Sequence, residues 1–208
     1  MKALCLLILT AASGMAAGPL GFGLKGGVPL TDFTNAVSNG RFDYTSNTQR
    51  YIVGPMVELR LPAGFGVEVD ALYRRFSYNG VITGTGITSA TTGNAWEFPI
   101  LAKYRFPTPV ARPYIAGGVA WDSLQGLKQD VRTGLANAGI TSSSTPTELH
   151  KSTTTGFVLG FGLDVHALII HISPEIRYTR WGAEHFLDTN GGFHSNQNQA
   201  EFLVGISF

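Results

Sequence analysis

The glycines near the start of the chain spell a pattern that binds nucleotides in other proteins. Gly21 to Gly26 read GFGLKG, a literal G-x-G-x-x-G. A dinucleotide site needs a strand before these glycines and a helix after them, so that the helix N-terminus meets the pyrophosphate. Here an apolar leader-like run precedes them, and strand-like alternation continues through them. We interpret them as strand residues that allow close packing, and we predict no cofactor.

His194 and Ser195, with Glu201 shortly after, are the residue types of a nucleophilic hydrolase. In such a site the histidine takes the serine proton and the acid orients the histidine. Neighbouring residues of an extended chain point to opposite faces, however, and the context FHSNQNQ is typical of a polar loop. We therefore predict no catalytic residues.

The histidines show no spacing typical of metal ligands. There are five of them: His150, His166, His171, His185 and His194. We predict no metal site. The formal net charge is +1, so no basic field favours a nucleic acid partner.

A larger set of charged residues shares the polar phase of the predicted strands. Its basic members are Lys25, Arg60, Arg74, Lys103, Arg105 and Arg177, and its acidic members are Glu58, Glu68, Asp70, Glu97, Asp122, Asp164, Glu175 and Glu201. The interior of an eight-stranded barrel is just wide enough for side chains to fill it. Buried charges must pair or carry a large energetic cost. We predict a lumen network of salt bridges that closes the barrel to diffusion.

The strands that position these charges are predicted from the alternation of apolar and polar residues with a period of two. Strands are predicted at 19 to 30, 49 to 61, 65 to 78, 94 to 106, 112 to 123, 153 to 166, 168 to 181 and 198 to 208. Short and long spacers alternate between them. We interpret Ser123 to Ala138 as loop with at most a turn or two of helix. The pattern predicts an all-β, eight-stranded antiparallel up-and-down transmembrane barrel with short periplasmic turns and long extracellular loops.

Alternation alone does not tell which face is inside, so a secreted lipocalin-like barrel and a two-sheet sandwich remain alternatives. Three features favour lipid outside: the mixed charges of the polar face, the final strand, and aromatic residues near the ends of the apolar face. These aromatics are Phe22, Tyr51, Tyr73, Trp96, Phe106, Trp121, Tyr178 and Phe208. Arg75 and Arg180, the basic residues of the apolar phase, come at strand ends, where a charge costs little.

The first residues, Met1 and Lys2 followed by ALCLLILTAA and SGMAAG, are typical of a secretory signal peptide. We predict a signal peptide at 1–17 and a barrel domain at 18–208, with cleavage between Ala16 and Gly18. Cys5 then lies in the removed segment, and the exported chain contains no cysteine. Its stability cannot come from disulfides.

With these residues in view, the chain resembles the small OmpA/OmpX-like barrels of the bacterial outer membrane. The resemblance rests on the signal peptide, the eight alternating strands and the ending AEFLVGISF. It implies an outer-membrane monomer among lipid and lipopolysaccharide. It also implies that Phe202, Val204, Ile206 and Phe208 form the signal read by the barrel assembly machinery. No peptidoglycan-binding segment follows, so cell-wall anchoring is not implied.

The lipid A deacylase family, another eight-stranded outer-membrane barrel, offers an enzymatic alternative. Its His and Ser are separated by one residue, whereas His194 and Ser195 are adjacent. We predict instead a structural scaffold or surface-binding protein, with loops 124–152 and 182–197 as recognition surfaces.

Three prolines fall inside predicted strands: Pro55, Pro99 and Pro174. They predict bulges or slipped registers nearby.

Overall fold

The fold was analysed in a computed structural model. It describes residues 19–34, 37–38, 42–46, 50–82, 84, 87–109, 111–133, 140–143, 149–167, 170–188 and 193–208. The predicted signal peptide at 1–17 lies outside these residues. No helix in the described part of the chain has the length and apolar character needed to cross a membrane.

In the described ranges, eight antiparallel strands form a closed ring. They are β1 (Leu20–Pro29), β2 (Ile52–Arg60), β3 (Phe65–Asp70 and Leu72–Ile82), β4 (Ile87–Arg105), β5 (Ala111–Thr133), β6 (Thr153–Ala167), β7 (Ile170–Trp181) and β8 (Asn198–Ser207). Each strand pairs with the next along the chain, and β8 closes the ring on β1, with Gly23 opposite Ser207. The predicted up-and-down barrel is confirmed.

One end of the barrel carries short connections and the other carries long ones. The β2–β3 connection contains the 3-10 turn Pro62–Gly64, and the short β4–β5 connection begins at Phe106. At the long-loop end, β3, β4 and β5 continue past the ring as a sheet flanked by the strands Phe42–Ser46 and Ile140–Ser143. Strand Val37–Ser38 pairs with Phe42–Ser46, and Leu187–Asp188 pairs with Phe193–His194.

The extended sheet corrects the prediction of a loop beginning at Ser123. Residues 123–133 are strand and pair with β4, while 134–138 lie outside the described residues. Polar and apolar residues fall on both sides of their alternation, so no apolar period predicts a strand here. At Gly126, φ is +61°, and the register shifts between Thr92 and Asn94. This bulge bends the hairpin beyond the ring, and its left-handed backbone conformation favours glycine.

The prediction of slipped registers at the prolines is wrong. The register is the same on both sides of Pro55, Pro99 and Pro174, although the β6–β7 pairing has a gap beside Pro174, between Gly162–Glu175 and Val165–Ile172. Pro55 accepts a hydrogen bond from Ala71 N–H through its carbonyl at 3.0 Å, but it has no N–H to donate in return. The local consequence is an interruption of β3 at Ala71, with the same register on either side.

The outer face of the barrel is apolar and carries two groups of aromatic side chains. Towards the short-turn end, Tyr104 lies 5.1 Å from both Phe65 and Phe106 between ring centroids. Towards the long-loop end, Tyr73 lies 5.2 Å from Trp96, which stacks on Phe98 at 6.2 Å. Two aromatic belts separated by an apolar band are the pattern of a barrel in a bilayer.

Candidate functional site

The centre of the lumen holds three basic and three acidic side chains, which we call the central cluster: Lys25, Lys103, Arg177, Glu68, Asp70 and Glu175. All six are almost fully buried. The strands β1, β3, β4 and β7 each contribute at least one of them, because the charges fall on the inward phase of each strand.

Glu68 is the main acceptor of the central cluster. Its carboxylate lies 2.5 Å from Lys25 Nζ, 2.7 Å from Lys103 Nζ and 3.3 Å from Arg177 Nη2. Asp70 contacts Arg177 at 3.0 Å and Lys25 at 3.3 Å. Three cations and three carboxylates therefore balance in charge, as a buried cluster requires.

Glu175 joins the central cluster to the wall of the barrel. It contacts Arg177 Nε at 2.8 Å and Lys25 Nζ at 3.2 Å, and it accepts a hydrogen bond from the Tyr114 hydroxyl at 3.0 Å. Lys103 Nζ also lies 4.1 Å above the Tyr114 ring. Tyr114 is thus a member that the charge pattern alone did not identify, although it shares the inward phase of β5.

A lower cluster lies nearer the short turns, where Arg105 pairs with both Glu58 and Asp164. The Arg105 Nε to Asp164 distance is 2.7 Å. His171 Nδ1 lies 3.0 Å from the other Asp164 oxygen. Arg60, the one half-buried member of the predicted set, donates to Ser207 Oγ at 3.0 Å and joins no carboxylate among the described residues.

An upper cluster lies on the long-loop side of the central cluster and consists of Arg74, Glu97, Asp122 and Glu201. Arg74 contacts Asp122 at 2.7 Å and Glu201 at 3.3 Å, and it donates to Gln199 at 2.7 Å. One oxygen of each carboxylate has no hydrogen-bond partner among the described residues. Three acids around one guanidinium give this level of the lumen an acidic excess.

Parts of two long connections fold into the barrel above the upper cluster. Phe33 stacks on Phe76 with ring centroids 4.5 Å apart, and Phe186 meets Tyr78 edge-on at 5.3 Å. The Phe33 ring also lies 5.0 Å from Arg74 Cζ. Phe33, Phe76, Tyr78, Ala95, Leu124 and Phe186 form one buried apolar group, which we call the plug.

His185 ties the plug to the upper cluster. Its Nδ1 lies 2.7 Å from the Lys151 carbonyl oxygen, which can only accept, so Nδ1 carries a proton. Its Nε2 lies 3.3 Å from Asp122. Loop 182–197 was predicted as a recognition surface, but its described residues place His185, Phe186 and Ser195 inside the barrel. The burial of these loop residues could not be predicted from strand periodicity, because they lie outside the strands.

The candidate nucleophile, Ser195, is held in a structural role. Its Oγ accepts hydrogen bonds from the backbone N–H of His185 at 2.8 Å and of Phe186 at 3.3 Å. The His185 ring faces Lys151 and Asp122, and Glu201 belongs to the upper cluster. Neither the His185 ring nor the Glu201 carboxylate is hydrogen-bonded to the Ser195 hydroxyl in the described part of the chain. The GFGLKG glycines lie within β1, which continues as strand to Pro29 and not as a helix.

The known proteins that resemble this chain are outer-membrane β-barrels. The sequence profile of the outer membrane protein beta-barrel domain matches residues 2–208. None of the curated proteins compared with the chain matches it in sequence.

Solved structures of outer-membrane barrels are similar to the chain at low identity. The N-terminal β-barrel domain of Pseudomonas aeruginosa OprF is 15% identical, with 92% of this chain and 98% of that chain covered and a TM-score of 0.39. Neisserial surface protein A is 13% identical, with 90% and 94% covered and a TM-score of 0.44. Ail of Yersinia pestis, solved with the heparin analogue sucrose octasulfate, is 9% identical, with 91% and 99% covered and a TM-score of 0.40.

The profile match spans nearly the whole chain, and the closed ring with an apolar outer face agrees with it. A membrane barrel is therefore favoured over the soluble lipocalin-like and sandwich alternatives. The chain belongs to the outer membrane protein beta-barrel domain family.

Proposed function

We propose that this protein is a non-enzymatic outer-membrane scaffold with a closed lumen, which presents a β-sheet and loops at the cell surface. The observation that carries the proposal is the filling of the lumen. The lower, central and upper clusters and the plug follow one another along the barrel axis. Of the predicted lumen charges all but Arg60 are buried, which favours a closed lumen over a solvated pore.

Surface presentation is supported by the sheet beyond the ring. Its outward face includes Val81, Thr88, Ala90 and Arg132, all exposed. In outer-membrane barrels the longer connections are extracellular. A rigid sheet and its connecting loops, including segments of 124–152, are suited to binding a surface ligand, because loops on rigid scaffolds commonly carry function.

Thiol labelling tests this presentation directly, since the chain after Cys5 contains no cysteine. We expect Thr88→Cys to react with a membrane-impermeant maleimide on intact cells. Ala63→Cys, exposed in the short turn Pro62–Gly64, serves as the matched control and should react only after lysis. Labelling of position 63 but not 88 on intact cells would show that the short turns are extracellular, which would contradict the proposal.

The absence of enzymatic activity is part of the same proposal. It is supported by the engagement of Ser195 Oγ with two backbone N–H groups. Mass spectrometry of lipid A from cells with and without the protein tests it. We expect the same acylation pattern in both, and loss of an acyl chain that depends on the protein would establish the deacylase alternative.

The remaining partners follow from the membrane setting. We propose a monomer exported through a signal peptide at 1–17, with the barrel domain at 18–208 surrounded by lipid and lipopolysaccharide. Assembly by the barrel machinery would use the outward side chains of β8 and the residue after it, Phe202, Val204, Ile206 and Phe208. Phe202, Ile206 and Phe208 are exposed on the outer face, which suits recognition before insertion.

A further inference from the structure

The short-turn end of the barrel contains a cavity that the lumen clusters do not fill. Its volume is about 460 Å³, and it lies between the turn Pro62–Gly64 and the β4–β5 connection. Basic side chains line it on the lumen side: Arg60, Arg105, Arg112 and His171. Apolar residues line it on the outer side, where Leu61, Phe65 and Phe106 are each more than 40% exposed.

The charges of this cavity are not balanced. Arg105 is satisfied by Glu58 and Asp164, and the second Asp164 oxygen is taken by His171. Arg60 and Arg112 pair with no carboxylate among the described residues, although Arg112 lies opposite Asp164 in the β5–β6 register. Arg60 Nε is buried and has no hydrogen-bond partner in the described part of the chain. Two guanidinium groups are therefore available to an anion.

The residues around the two guanidinium groups indicate which class of anion the cavity would bind. Guanidinium groups bind phosphate oxygens through paired N–H donors. The cavity opens at the aromatic belt of the short-turn end, the depth at which headgroups of the surrounding leaflet lie. Exposed Phe65 and Phe106 offer an apolar surface on the bilayer side of the same cavity. A ligand with a phosphate and an attached acyl tail matches both walls.

We propose that this cavity is a binding site for a phospholipid, with its phosphate between Arg60 and Arg112 and its acyl chains along Phe65 and Phe106. The site lies at the short-turn mouth of the barrel, beside the lower cluster, and is separate from the central cluster and from the extracellular sheet. It would fix the barrel to the periplasmic leaflet at one defined point of its rim.

Native mass spectrometry of the delipidated, detergent-solubilised protein tests the proposal. Phosphatidylglycerol, diacylglycerol and glycerol 3-phosphate serve as three separate probes. We expect one phosphatidylglycerol to bind preferentially, and the Arg60→Gln/Arg112→Gln variant to weaken that binding roughly tenfold, as loss of charged hydrogen bonds would. The control variant Lys128→Gln/Arg132→Gln removes the same charge from exposed positions of the extracellular sheet and should bind like the parent protein.

Three outcomes would overturn the proposal. The double arginine variant could bind phosphatidylglycerol as tightly as the parent protein. Diacylglycerol could bind equally well, which would show that phosphate is not recognised. Glycerol 3-phosphate could bind as tightly as the lipid, which would make this a site for soluble phosphate esters. A heat-induced gel shift confirms folding, and Arg112→Gln alone, at an exposed position, repeats the test if the double variant does not fold.

Discussion

At the scale of residues, the stability of the central cluster depends on each of its six charges having an ion-pair partner. Burying six charges is costly, and their attraction offsets that cost only when each group has partners. Glu68 is critical because it contacts all three cations, and it provides the only carboxylate paired with Lys103 among the described residues. Loss of Glu68 would leave a buried ammonium without an ion-pair partner.

We predict that Glu68→Gln lowers the free energy of unfolding by about 3 to 5 kcal/mol, the range for breaking a buried ion pair. Urea unfolding of the barrel in lipid vesicles measures this. The control, Asp32→Asn, removes an exposed carboxylate and should change stability by less than about 0.5 kcal/mol. Adding Lys103→Met to Glu68→Gln should recover part of the loss, because both partners are then removed. A Glu68→Gln effect as small as the control would mean that the cluster does not stabilise the fold.

At the scale of elements, β4 and β5 approach closely through one glycine. A Cβ atom at Gly118 would lie 1.9 Å from the Ile100 carbonyl oxygen. At the neighbouring Gly117, the nearest atom would be Leu159 Cδ2 at 3.7 Å. The pairing of these two strands therefore requires glycine at 118 but not at 117.

Gly118→Ala should destabilise the barrel by about 1 to 3 kcal/mol, because the strand must shift to relieve the overlap. Gly117→Ala is the matched control and should have a much smaller effect. The temperature at which the folded gel band disappears compares the two variants. Equal temperatures for both would contradict the observed strand approach.

The outer face of β3 allows a test of depth within one strand. Val69 lies between the belt residues Phe65 and Tyr73, whereas Val81 faces outward well beyond Tyr73 in the extended sheet. Val69→Arg should cost about 2 to 4 kcal/mol of stability in the membrane, while Val81→Arg should cost no more than about 1 kcal/mol. Unfolding in lipid vesicles measures both. A larger loss at position 81 would mean that the apolar band does not face lipid where we place it.

Strand elements could be predicted from sequence because their two faces differ in chemistry. In β4, for example, Glu97, Lys103 and Arg105 alternate with Trp96, Phe98 and Ile100, so the period identifies the strand and its inward face. The same period could have identified Tyr114 and Gln199, which are polar and share the inward phase of β5 and β8.

Other features carry no such signal. Residues 123–133 mix polar and apolar side chains on both faces, so their alternation does not separate an apolar face from a polar one. The plug contacts of Phe33 and Phe186 join distant loops, so no local pattern predicts them. The pairing of individual charges could not be predicted from the sequence either, since it depends on the registers of several strands at once. The prolines were misread because a missing N–H removes one ladder bond without moving the register.

At the scale of the whole molecule, charged clusters and an apolar plug follow one another along the barrel interior. The plug includes residues of the β1–β2 and β7–β8 connections, and these connections are joined by the Thr34–Ser195 bridge and by the Asn196 N–H to Phe33 carbonyl bond at 2.9 Å. In the closed barrel that we propose, a path for solutes would require both the plug and the central cluster to move.

The closed lumen is tested most directly by the conductance of the refolded protein in a planar lipid bilayer. We predict no steady open level, because the ion pairs of the central cluster and the plug fill the lumen. Heat-denatured protein at the same concentration controls for background insertion. A steady conductance that depends on folded protein and admits solutes larger than simple ions would contradict the closed scaffold.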